Sequence, residues 1–108
     1  MRWTRVCRFD ELTPDRGVCA KVGEHQVAVV RTSGDDALYA LGNHDPFSGA
    51  NVLSRGIVGS LGGVVVLASP LFKQHFCLAS GRCVEEPKVV VTTFEVRRNG
   101  EWVEVGDP

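Results

Sequence analysis

Short β-branched and other apolar runs alternate with turn-forming residues along most of this chain. Residues 18–22 and 26–31 flank Gly23-Glu24, and Leu38-Tyr39-Ala40-Leu41 follows the turn signal Ser33-Gly34-Asp35-Asp36. Ile57-Val58-Gly59 and the run 64–68 flank Gly62-Gly63, and residues 92–98 and 101–105 flank Asn99-Gly100. An Asn-Gly pair between apolar runs predicts a type I′ hairpin, with positive φ at both residues. Within Thr93-Phe94-Glu95-Val96-Arg97 the apolar residues alternate, which predicts one buried and one wet face. No stretch holds a 3.6-residue period. The best helical candidate is one turn at Phe9-Asp10-Glu11-Leu12, cut off by Pro14 and Gly17. The pattern therefore predicts an all-β fold, a small antiparallel sandwich or barrel. Residues 42–56 form the one long polar excursion, the kind of segment that carries function.

Composition narrows the function classes. A chain of 108 residues forms one domain, 1–108, with no linker or repeat, and 44 % hydrophobic with 23 % charged residues is ordinary globular usage. A formal charge of −1 gives no electrostatic case for binding nucleic acid or an acidic membrane. The longest apolar run, Val64-Val65-Val66-Leu67-Ala68, is strand-sized, against about 20 residues for a membrane helix. The first residues, Met1-Arg2-Trp3-Thr4-Arg5-Val6-Cys7-Arg8, lack the apolar core of a secretory signal, so a cytoplasmic location is expected. Cys7, Cys19, Cys77 and Cys83 contain no C-x-x-C and read as thiols in that setting; an oxidising compartment would leave three pairings open.

Two proline-tipped segments carry the chemistry, Asn43-His44-Asp45-Pro46-Phe47-Ser48-Gly49 and Ser69-Pro70-Leu71-Phe72-Lys73-Gln74-His75-Phe76. They resemble the two loops that hold the iron–sulfur cluster of Rieske domains. From Ser69 to Gly81 the likeness is nearly position by position, with Pro70, Phe76, Leu78 and Gly81 matching and Ser80 in place of threonine. A Rieske centre takes two thiolates and two imidazoles, from Cys-x-His in one loop and Cys-x-x-His in the other. Here the four ligand positions read Asp45, Phe47, Ser69 and Phe72. The longer run Asp45-Pro46-Phe47-Ser48-Gly49-Ala50-Asn51-Val52-Leu53-Ser54-Arg55-Gly56, with the second segment, is similar to the small subunits of assimilatory NAD(P)H-dependent nitrite reductases.

That resemblance implies a Rieske-like antiparallel β-sandwich with a loop-rich subdomain at about 42–81. It implies no cofactor in this chain and no catalytic residue or metal ligand. It also implies a large catalytic partner subunit carrying FAD, siroheme and an iron–sulfur cluster, and a complex that reduces nitrite to ammonium in the cytoplasm. The end bearing the two loops is where Rieske domains meet their partners, so Arg55, Lys73, Gln74, His75 and Arg82 become candidate docking residues. Phe47 and Phe72 are expected to close the cluster volume as an apolar plug. Asp45 and Ser69, each before a proline, are expected to start turns.

Other constellations are weaker. His75, Cys77 and Cys83, with His44 opposite, match no common zinc spacing. No third group supports a Cys–His nucleophile, and Gly59-x-x-Gly62-Gly63 precedes no helix that could bind a phosphate. Trp3 and Trp102 read as cover for the core. The alternatives to an accessory subunit are a Rieske-type ferredoxin, which the ligand positions oppose, and an interaction module for another oxidoreductase.

Overall fold

The computed structural model describes residues 1–107. Its strands are β1 (Arg2–Arg8), β2 (Gly17–Val22), β3 (His25–Arg31), β4 (Leu38–Gly42), β5 (Ile57–Leu61), β6 (Val64–Ala68), β7 (His75–Cys77), β8 (Thr93–Asn99) and β9 (Trp102–Asp107). They form a six-stranded sheet in the order β1-β9-β8-β4-β3-β2 and a three-stranded sheet in the order β5-β6-β7. Every pairing is antiparallel. Helical structure is confined to the short 3₁₀ turns Phe9–Glu11 and Leu53–Arg55, and no helix among the described residues could cross a membrane.

The hairpins follow local chemistry. Leu61 pairs with Val64 around Gly62 and Gly63, whose φ values of 56° and 83° are those of a type I′ turn. Val22 pairs with His25 around Gly23-Glu24. The last hairpin departs from expectation by one residue. Asn99 stays in β8 opposite Trp102, and the turn is Gly100-Glu101 with positive φ at Gly100 alone, 63°. Glycine first in the turn suits the II′ form, and the Asn99 amide donates to Glu104 Oε1 at 3.4 Å, holding Asn99 in the ladder.

Two apolar cores share strands β3 and β4, the latter giving Ala40 to one and Leu41 to the other. Val27 and Val29 of β3 face a core with Phe9, Leu12, Val103 and Val105, inside the curl of the large sheet. Ala28 and Val30 face the other side, where Leu41, Leu53, Leu67, Phe76 and Leu78 lie between the sheets. Burial on both faces explains why β3 reads as an unbroken apolar run rather than an alternating one. The second core anchors the bases of both loops through Leu53 and Phe76, each fully buried. Burying such a side chain contributes about 1.5–3 kcal/mol, so the loop bases are fixed parts of the fold.

The two-loop end as candidate functional site

The first loop leaves β4 at Gly42 and is pinned by Asn43, which is only 3 % exposed. Its Oδ1 accepts from Ser54 N at 2.7 Å, and its Nδ2 donates to Asn51 O at 3.1 Å and Gln26 Oε1 at 3.3 Å. One amide thus spans the loop from entry to exit. Asp45 is fully buried; its Oδ1 accepts from Phe47 N at 2.9 Å, and its carbonyl accepts from Gly49 N at 2.8 Å. It starts a turn, as expected. The Phe47 ring is half-buried and packs on Phe76, with centroids 6.2 Å apart.

The second loop leaves β6 at Ser69, whose N–H donates to Gln74 O at 2.9 Å. The Ser69 hydroxyl donates to Asp45 Oδ2 at 2.5 Å and accepts from Leu71 N at 3.4 Å. The two positions where a Rieske domain keeps its thiolates are therefore joined by a buried, charge-assisted hydrogen bond. Burial pushes the Asp45 carboxyl up, but donors from Ser69, Phe47 and Ser48 outweigh it and leave it below the ordinary carboxylate value. Cys77, beyond the loop, has its thiol lowered chiefly by a hydrogen bond donated from Ser80, against the effect of burial, whereas burial raises Cys83. All four cysteines are free.

The expected plug is half wrong. Phe47 packs inward, but Phe72 is 60 % exposed and Leu71 beside it 51 %. Lys73 adopts φ 62°, a left-handed turn that carries the Leu71-Phe72 tip outward before the chain re-enters at β7. Of the candidate docking residues, Arg55, Lys73 and Arg82 are exposed. Arg55 ends the turn before β5, whose Ile57 pairs with Ala68 next to Ser69. Arg82 lies further back, its carbonyl accepting from Cys77 N at 2.9 Å. His75 is half-buried and held by Glu85, with Nδ1 2.6 Å from Oε2 and its N–H 2.8 Å from Oε1. Gln74 is also half-buried, and its Oε1 has no hydrogen-bond partner among the described residues.

These loops do not fit a Rieske cluster. A carboxylate and a hydroxyl bonded to each other replace the thiolates, and two phenyl rings replace the imidazoles, one packed away and one turned outward. Nor do the other candidates gather: His44 bonds Asn51, His75 bonds Glu85, and no cluster of three or more His, Cys, Asp or Glu residues could hold a metal among the described residues. Sequence reasoning missed Asn43 and Glu85 as organisers. Asn43 was signalled only by its place at the loop entry. Glu85 comes ten positions after His75 and carried no signal.

Comparison with known proteins agrees with this geometry. Residues 2–106 match the family described as the Rieske-like [2Fe-2S] domain. The NADH nitrite reductase small subunit of Escherichia coli is 41 % identical over 89 % of each chain. The solution structure of a nitrite reductase [NAD(P)H] small subunit from Erwinia carotovora superposes with a TM-score of 0.82 at 42 % identity, covering 98 % of this chain and 82 % of that one. The nitrite reductase [NAD(P)H] large subunit of Klebsiella oxytoca is 40 % identical over 94 % of this chain, a region making up 11 % of that protein.

Proposed function

This chain belongs to the nitrite reductase small-subunit family of Rieske-like domains, and from that membership we propose how it works. It is the cofactor-free accessory subunit of a cytoplasmic NAD(P)H-dependent nitrite reductase, and it docks its two-loop end on the large catalytic subunit. FAD, siroheme and the iron–sulfur cluster belong to that partner, which reduces nitrite to ammonium. The observation that carries this reading is the fate of the four ligand positions. Asp45 and Ser69 are spent on each other, Phe47 on the core, and Phe72 is offered to solvent. An end built for an electron-transfer centre has become a braced loop with an aromatic and an aliphatic side chain exposed on its tip, followed by Lys73. An exposed aromatic side chain such as Phe72 is of the type enriched at interface cores.

The test is reconstitution. Cofactor-loaded large subunit is assayed for nitrite-dependent NAD(P)H oxidation and for thermal stability, with and without this chain, and the iron content of this chain is measured after anaerobic purification. Added small subunit should raise turnover or stability, and the purified chain should hold no stoichiometric iron. A partner indifferent to the addition, or iron in this chain, would overturn the reading.

A further inference from the structure

The two chain ends and the first loop open on the same end of the molecule. Arg2 at the start of β1 pairs with Asp107 at the end of β9, so both termini leave from one corner of the large sheet. That corner meets the loop through His25, the first residue of β3. Its Nε2 lies 3.9 Å from Asp107 Oδ1, its ring packs tilted against Phe94 with centroids 5.4 Å apart, and the adjacent Gln26 carbonyl accepts from Asn43 N at 2.9 Å. Between terminus and loop runs an open groove of about 370 Å³, lined by His25, Gln26, Asn43, His44, Asn51 and Phe94. Both imidazoles are exposed.

In the Klebsiella protein the matching region is 11 % of a single polypeptide. The rest of that chain must join it through one end or the other, and in this fold either exit emerges beside His25. The mass of the large subunit in that arrangement therefore starts next to the groove. We propose that the groove is a second contact with the large subunit and takes an extended, polar segment of it. The exposed imidazoles of His25 and His44 and the amide nitrogens of Gln26 and Asn51 offer hydrogen-bonding groups to a peptide backbone, Asn43 being spent within the loop, and the Phe94 ring offers an apolar face. The proposal rests on the docking reading above and adds a contact separate from the Phe72 tip.

The experiment measures the affinity of cofactor-loaded large subunit for four forms of this chain by titration calorimetry. These are the wild type, the double variant His25→Ala/His44→Ala, Phe72→Ala, and Glu101→Ala at the far end of the β8–β9 hairpin. The double variant should bind at least tenfold more weakly, and Glu101→Ala should match the wild type. If the double variant binds like the wild type while Phe72→Ala is weakened, the groove contact is wrong and docking through the loop tip stands. If the double variant is weakened and Phe72→Ala is not, the groove contact holds and loop-tip docking fails. Should the double variant not fold, amide exchange of the wild-type complex decides. Protection gained at residues 24–26 and 43–44 supports the contact, and none there overturns it.

Discussion

Truncating a phenyl ring costs stability in proportion to what the ring buries, which separates Phe47 from Phe72. Phe47→Ala removes a half-buried ring packed on Phe76 and should lower stability by about 2–3 kcal/mol, less than the roughly 3–5 kcal/mol of a fully buried phenylalanine. Phe72→Ala should change it by less than about 0.5 kcal/mol, because the side chain is 60 % exposed. Denaturant melts of the two variants check both; equal losses would restore the plug. Ser69→Ala leaves Asp45 Oδ2 buried without its hydroxyl donor and should cost about 1–3 kcal/mol. The same bond sets a pH dependence. The Asp45 carboxyl titrates lower in the folded protein than unfolded, so its contribution is complete above the ordinary carboxylate value and is lost as pH falls through the folded one. Melting temperatures followed downward from about pH 5 should fall less steeply in Asp45→Asn than in the wild type. Identical slopes would remove Asp45 from the acid transition. The four positions were legible in the sequence because each sits at a fixed offset from Pro46 or Pro70. The direction of Phe72 was not, since it depends on a left-handed Lys73 where no glycine marks the turn.

Elements were readable where a turn residue and an apolar run agreed. Gly62-Gly63 and Gly23-Glu24 set the registers of β5–β6 and β2–β3 as the sequence implies. β1 was not anticipated: its register shifts between Arg5 and Cys7, and an irregularity of that kind destroys the two-residue alternation that reveals a strand. β7 is only three residues long, too short for any period, and is held by pairing with β6. Glycines carry different constraints in these elements. At Gly100 a side chain would meet only the backbone cost of positive φ, so Gly100→Ala should destabilise by about 1–2 kcal/mol. At Gly81, φ is 77° and a Cβ would also collide with the Val91 carbonyl oxygen. Gly81→Ala should therefore cost clearly more than Gly100→Ala in the same melts. The second core would open with it, since Val91 N donates to Gly81 O at 2.8 Å.

At the scale of the molecule, the pairing of Arg2 with Asp107 makes the domain portable. Antiparallel partners at the two termini mean that a longer polypeptide can enter and leave without crossing either core, which is compatible with the domain's occurrence inside a much longer chain in Klebsiella. The same geometry predicts that the chain tolerates permutation. Joining residue 107 to residue 2 through a short Gly/Ser linker, and opening the chain at Gly34 in the exposed turn after β3, breaks no strand pairing. Opening there costs the covalent closure under the Thr32–Asp35 hydrogen bond and the Arg31–Asp36 ion pair, both of which lie at an exposed turn. The permutant should keep the β-rich circular dichroism of the parent and most of its stability, because loop closure depends weakly on length. It should also lose affinity for the large subunit if the linker shields the groove beside His25, while Phe72 at the other loop stays available. A permutant that folds and binds unimpaired with its linker lying over the groove would place the interface at the loop tip alone. One that fails to fold would show that the β1–β9 edge needs free ends.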